Sequence, residues 1–367
     1  MKFNTRYLAP DHILTALKSL TIDPNFSLDV LGKSVEGRPI YGLKFGSGSK
    51  RILLWSQMHG NETTTTKALL HYLRRLVNSD KGTQLAKHLQ LFIIPMLNPD
   101  GASAYTRLNA NEVDLNRDAQ DLSQPESLIF REVFNTFKPG LCLNLHGQRS
   151  IYGLTGSENP AVLSFLAPAA NAERSITPAR LEAMRLINCI TKALQEDIGQ
   201  QIGRYDDTFN GNCLGDYCTQ QGIPTILFEA GQFGQDYSRN NTAALIEKAY
   251  AVLFDQLCQH EMAVEKDTIV ASYLDLPENQ VNYCDLILKN VLPRAINDTK
   301  DLFIQYRELL VEGRIYFEAE VLDEDSLEPE FAHRYENDTE LNSELKRLNQ
   351  EDWPPFIADY VLKKYSH

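Results

Sequence analysis

The sequence has no basic charge to spare: 36 Lys and Arg stand against 49 Asp and Glu, a formal net charge of −13. It therefore lacks the basic footprint that nucleic acid or an anionic membrane surface needs in a main partner, and neither is expected. Global charge does not name a substrate, because a cleft can carry the opposite sign. Long apolar runs are missing too. No stretch reaches transmembrane length, and Met1 to Leu20 mixes Lys, Arg, Asp and His with its apolar residues instead of forming a signal-peptide core. The six cysteines, at 142, 189, 213, 218, 258 and 284, show neither zinc-ribbon nor dense disulfide spacing. Cys213 and Cys218 read as ordinary thiols. A reduced, cytoplasmic protein without internal repeats is the resulting expectation. The rest of the composition, 43% hydrophobic and 23% charged over 367 residues, is that of a globular chain long enough for one large domain plus an appendage.

Periodicity orders the first two-thirds of the chain. Asp11 to Leu20 carries Ile13, Leu14, Leu17 and Leu20 on one helical face, and Phe26–Leu31 and Ile40–Phe45 read as strands around a Gly- and Pro-bearing turn. The apolar run Ile52 to Trp55 is of strand length and delivers His59, a Gly60-Asn61 turn and Glu62; Ala68, Leu69, Leu70, Leu73, Leu76 and Val77 then recur at helical spacing. Leu91–Leu97 is a second buried strand, ending in the turn Asn98-Pro99-Asp100-Gly101. A polar loop from Tyr105 to Asp118, a helix over Leu128–Phe137, and a short strand Leu141–Leu145 ending on His146 follow. Pro178–Ile198 has a long helical pattern, Gly203–Tyr217 reads as a loop, Thr225–Phe228 is a strand ending on Glu229, and Ala243–Leu257 closes the unit as a helix. Strands alternating with helices predict an α/β fold, its sheet covered on both faces.

Beyond about residue 258 the texture changes. Leu286–Val291, Leu302–Tyr306 and Ile315–Val321 read as short strands, Asp323–Glu330 is strongly acidic, and the tail to His367 is polar with a few aromatics. The expectation is a large unit over 1–258 and, over 259–367, a small β-rich appendage with an acidic segment and tail.

Three strand ends carry the chemistry: His59 with Glu62, then His146, then Glu229. Hydrolytic zinc needs three protein ligands and one open position, and two His with one Glu form such a set. A separate carboxylate must take a proton from water and hand it to the leaving amine. Arg107, Asn116 and Arg117 supply cations and a donor of the kind that stabilise an oxyanion and grip a substrate carboxylate. Spacing alone does not establish the site. His333 to Glu336 repeats His-x-x-Glu inside the acidic region, without a flanking strand or a partner histidine, and reads as a solvated polar stretch. Taken by themselves, His59 and Glu62 are as well read as a turn histidine beside a helix N-terminal carboxylate. His146 and Glu229 shift the balance.

At that point the chain resembles the M14 zinc carboxypeptidases, in particular bacterial members with a small C-terminal extension, over roughly residues 5–258. The resemblance rests on Gly32–Ile40, His59–Glu62, Asn98–Gly101, Arg107, Val113–Arg117, Asn144–His146 and Ile226–Gly231. It implies a mixed, mostly parallel sheet sandwiched by helices, one zinc ion held by His59, Glu62 and His146, and Glu229 as general base and then acid. Arg107 is implied to polarise the scissile carbonyl, and Asn116 and Arg117 to hold a terminal carboxylate; a salt bridge from Arg117 to Asp114 or Asp118 is the competing reading. Family members place a tyrosine over the substrate about twenty residues before the general base; here Phe209 lies closer to that place than Tyr205. Asp216 either shapes a pocket for a basic side chain or is a structural hydrogen-bonding aspartate. Arg149 is either an anion contact or a surface charge, and Asn61 stands where some relatives carry arginine.

The expected function is zinc-assisted amide hydrolysis, releasing C-terminal residues from a peptide. The alternatives are an N-acyl-amino-acid amidohydrolase, a peptidoglycan-peptide amidase, and, from another class, a catalytically silent peptide-binding module. The partner is a peptide or acyl-amino-acid substrate, and the sequence leaves the oligomeric state open.

Overall fold

A computed structural model describes residues 4–259, 264–295, 298–322, 329–348 and 352–367. Helix α1 (Pro10–Leu20) buries Ile13, Leu17 and Leu20, and the strands β1 (Phe26–Lys33) and β2 (Pro39–Phe45) pair antiparallel across the expected turn. Strand β3 (Lys50–Ser56) is buried on both faces from Ile52 onward. Its alternation is visible in the packing: Ile52 and Leu54 point into the main core, Leu53 and Trp55 into a second core behind the sheet. Next come α2 (Thr64–Leu76), α3 (Asp80–His88), β4 (Leu89–Ile94) and α4 (Pro99–Ala104). Helices α3 and α4 have no helical stripe in the sequence. Both are short and capped by side chains, with Ser79 Oγ accepting from Gly82 N and Asn98 Oδ1 from Gly101 N, so capping rather than an apolar stripe defines them.

The chain continues through α5 (Pro125–Phe137), β5 (Leu141–Gly147), β6 (Tyr152–Leu154), β7 (Leu163–Leu166), α6 (Pro178–Ile198), β8 (Ile202–Arg204), α7 (Leu214–Gln220), β9 (Thr225–Ala230) and α8 (Asn240–Cys258). The stretch expected to loop as far as Tyr217 thus enters α7 at Leu214. Eight strands form one mixed sheet in the order β1-β2-β4-β3-β5-β9-β7-β8, with β4, β3, β5 and β9 parallel at its centre. Helices α2, α6 and α8 pack on one face, and α5 and α7 on the other. In the central register Ser56 lies beside Leu145 and His146 beside Glu229, so the three expected site-bearing strands end side by side.

The chain does not leave this unit at residue 258. Helix α9 (Lys266–Leu274) packs on α6 through Ile269 and Tyr273, and the Tyr273 phenol oxygen accepts the Ala167 N–H at 3.0 Å. Strand β10 (Asn279–Val281) pairs with β6. A boundary at 258/259 thus falls inside continuous packing; α9 buries only Ile269 and Tyr273 among its apolar residues, which leaves no clear stripe to read. The appendage proper starts at β11 (Tyr283–Cys284) and includes β12 (Leu286–Ala295), β13 (Asp298–Val311), β14 (Arg314–Val321), β15 (Phe331–Ala332) and β16 (Tyr335–Glu336). Four strands join in the order β14-β13-β12-β16. Leu288, Ile304 and Phe317 pack beneath α10 (Thr339–Leu345) and α11 (Trp353–Tyr365), which bury Leu341, Ile357 and Val361. The β-rich appendage is present as expected, with two helices packed on its sheet, and the polar tail forms the second of them. Of the acidic segment, residues 323–328 lie outside the described residues. No helix among the described residues is long and apolar enough to cross a membrane.

Candidate active site

Past β3 the backbone turns sharply. Gln57 adopts a positive φ of 42°, and the Glu62 N–H donates back to the His59 carbonyl at 3.1 Å, closing a turn that sets the two side chains on one side. Neighbouring loops brace it: Asn98 Nδ2 donates to Met58 O at 3.1 Å, and Asn61 N to Thr106 O at 3.2 Å. Gly60 has no room for a side chain, since a Cβ there would fall 1.9 Å from the Gly101 carbonyl carbon. Asp100 in turn accepts from Ser34 Oγ, Glu36 N and Arg38 Nη1 at 2.7–2.9 Å. The Gly32–Ile40 and Asn98–Gly101 motifs are thus the mounting of the His59 turn.

His59, Glu62 and His146 offer ligand atoms that all lie within 4.8 Å of one another. His59 Nδ1 is 2.7 Å from Glu62 Oε1, His146 Nδ1 is 2.9 Å from Glu62 Oε2, and the two Nδ1 atoms are 3.2 Å apart. Two imidazole nitrogens crowding one carboxylate make a donor set that suits a divalent cation of zinc's preferences. Buried polar atoms without a protein partner are normally satisfied by something else, and His146 Nε2 and Glu229 Oε2 are two such atoms among the described residues. His146 is therefore no satisfied core histidine. These residues fit a zinc ion.

The electrostatics agree. Burial alone would raise the Glu62 carboxyl, but the two imidazoles overcome it and hold Glu62 well below the carboxylate range. Burial and the Glu62 charge push the Glu229 carboxyl well above its ordinary value. A carboxylate in that setting is a stronger base than one in water. His59 Nε2 lies 3.0 Å from Asp114 Oδ1, which orients the ring and turns Nδ1 toward Glu62, where a metal ion could be held. This role of Asp114 escaped the sequence reading, where it figured only as a rival partner for Arg117; the Val113–Arg117 motif was the available signal.

Arg107 lies 3.5 Å from Glu62 and 3.0 Å from Asp114, with its side chain 47% exposed toward a cavity of about 470 Å³ that Glu62 and Glu229 also line. Asn116 Oδ1 accepts from Leu214 N at the start of α7. Arg117 donates to Asn116 O at 2.7 Å and to Cys213 Sγ at 3.1 Å. Neither Asp114 nor Asp118 binds it, because Asp114 is engaged by His59 and Arg107, and Asp118 by Ser123 and Gln124. Tyr205, not Phe209, lines the cavity, against Tyr152 at 5.6 Å between ring centroids. Asp216 is buried in the first turn of α7, apart from that cavity; burial raises its carboxyl to about 7 against hydrogen bonds from Cys213 and two backbone N–H groups. Arg149 lines the cavity. His333 is not part of a solvated stretch: it is half-buried, with Nε2 donating to Ser150 O at 2.8 Å.

Residues 13–155 match the family model for zinc carboxypeptidases, the M14 peptidases. Mouse carboxypeptidase M is 32% identical over 178 residues, 41% of this chain and 39% of that protein, and human carboxypeptidase D is 30% identical over 34% of this chain and 11% of that protein. The match spans less than two-fifths of the length of either. Among solved structures, a metallo-carboxypeptidase from Burkholderia cenocepacia superposes with a TM-score of 0.56 at 18% identity, over 69% of this chain and 70% of that one. A metallo-carboxypeptidase from Pseudomonas aeruginosa, in complex with (2-guanidinoethylmercapto)succinic acid, gives 0.53 at 19% identity over 69% and 71%. These likenesses concern the fold, and it is the one described above. The matched span carries both His59 and Glu62 on a sheet of this topology, and over residues 13–155 the chain is similar to the zinc carboxypeptidases of the M14 family.

Proposed function

We propose that this protein is a zinc-dependent metallopeptidase that hydrolyses the amide bond next to a C-terminal carboxylate and releases the terminal residue. The observation that carries the reading is the convergence of His59, Glu62 and His146 beside Glu229 at the ends of adjacent parallel strands, where open α/β sheets place their sites. His59, Glu62 and His146 would hold one zinc ion. When bound, zinc supplies Lewis acidity and brings the pKa of water down to about 7. Glu229 takes the proton from the attacking water and delivers it to the leaving amine. Arg107 donates hydrogen bonds to the oxyanion that develops on the carbonyl, and the Asp114–His59 bond keeps the ring in one tautomer. Arg117, which has no ion pair among the described residues, grips the terminal carboxylate with Asn116.

Replacing Glu229 with Gln tests the assignment. The variant should bind zinc as the wild type does and lose turnover by on the order of 1,000-fold. Hydrolysis at the wild-type rate by the purified variant would sink the mechanism.

A further inference from the structure

The cavity beside Glu62 and Glu229 is built by both parts of the chain. One side consists of Asn61, Arg107, Tyr152, Tyr205 and the run Gly147–Ser150 that follows His146. The other consists of Gln305, Arg307 and Glu308 on β13 and Glu320 on the paired strand β14. Asn116 and Arg117 do not line it. If Arg117 holds the terminal carboxylate, the released residue lies on its side of the scissile bond, and this cavity receives what lies on the other side, the acyl portion.

The appendage is fastened in that position. Glu308 takes a bidentate ion pair from Arg6, at 2.8 and 3.3 Å, and a hydrogen bond from the Tyr105 hydroxyl. The Arg6 side chain is only 11% exposed, so the pair is screened from water. Gln305 Nε2 and His333 Nε2 both reach Ser150, at 2.8 Å each, and Tyr237 donates to the buried Asp285 at 2.9 Å. Contacts from both units thus fix the run behind His146 and the strand facing it. They form a wall rather than a swinging lid.

We infer that the C-terminal appendage closes the acyl side of the active site and restricts the enzyme to short, polar substrates: dipeptide- to tetrapeptide-sized molecules and small N-acyl amino acids, rather than the ends of long polypeptides. The inference rests on the hydrolase reading above. Size carries the first part. The space between the two parts is about 470 Å³, and an extended chain advances about 3.4 Å per residue, so Gln305, Arg307 and Glu320 on the facing strands meet the substrate within its first few acyl-side residues. Chemistry carries the second. Arg307 pairs with Glu320 at 3.0 Å, Glu308 is taken by Arg6, and Arg149 has no ion pair among the described residues. An apolar acyl chain would desolvate these charges without return, whereas peptide groups and a carboxylate can bond to them.

The test uses the zinc-loaded full chain and peptides that share one C-terminal residue but grow on the acyl side, from acetyl to eight residues. The series is repeated with apolar, basic and acidic C-terminal residues. kcat/KM is expected to fall on the order of 100-fold between two and six acyl-side residues. In calorimetric titration of the Glu229→Gln variant, short members bind and long ones do not. Arg307→Ala and Glu320→Ala, which shorten the wall without touching its fastening, should raise the long-to-short ratio about tenfold. Long and short members cleaved equally and bound equally would overturn the inference and leave the hydrolase reading standing. No cleavage of any member would overturn both.

Discussion

Two stretches of this chain spell His-x-x-Glu, and they do different things for a reason that spacing does not contain. Between His59 and Glu62 the backbone makes a turn, and the two side chains meet at 2.7 Å. Between His333 and Glu336 the chain runs on from β15 into β16, His333 bonds to the backbone of Ser150, and Glu336 pairs with Arg334. A turn brings positions i and i+3 together; an extended run carries them apart. The second stretch nonetheless serves the first, because Ser150 lies four positions beyond His146. One histidine sits in the proposed metal site and the other props the loop behind it.

The sharpest break of that comparison is metal content. His59→Ala or His146→Ala should take zinc from about one equivalent after dialysis to background, whereas His333→Ala should keep it; zinc loss in His333→Ala would make the two stretches equivalent. Next in size is the turn. Gly60→Ala drives a methyl into the Gly101 backbone and is expected to cost about 3 kcal/mol or more in chemical denaturation, with zinc lost as well.

A pH titration of stability comes third. Burial lowers the His333 imidazole from 6.5 to about 4, so between those values the unfolded chain binds a proton that the folded one refuses. Stability from this group is therefore complete above about pH 6.5 and is lost as pH falls toward about 4, by roughly 1–2 kcal/mol after allowance for partial exposure. His333→Ala should flatten the denaturation midpoint across that window, and an unchanged slope would contradict the prop. The smallest effect belongs to Asp114→Asn, which leaves the turn intact but weakens the hold on the His59 ring. Zinc affinity should fall about 10- to 100-fold in competition with a chelator.

What could be read from the sequence, and what could not, divides along the range of the interactions. Buried parallel strands are written as mostly apolar runs, so the positions of His59, His146 and Glu229 at or just past strand ends were legible. The amphipathic α6 was legible in full, from Pro178 to Ile198. Asp114 was not: its bond to His59 spans 55 positions, and no local period reports such a contact. The Arg6–Glu308 pair spans 302. Tyr205 lost out to Phe209 on residue counting, because the path from Gly203 into α7 decides which ring faces Glu229. The tail looked polar because α11 buries one side only, through Ile357, Val361 and Tyr365.

The packing of α9 and β10 bears on how this molecule can be dissected. A recombinant piece ending at 258 would strip β6 of its partner strand, leave the Ala167 N–H without its acceptor and open a hole where Tyr273 sat. Extending the cut to Val281 mends those losses, yet Arg6 would still face a vanished Glu308. Arg6 and Glu308 hold the two parts of the chain together beside the site, so the shortened piece would present a different cavity from the one the whole chain builds.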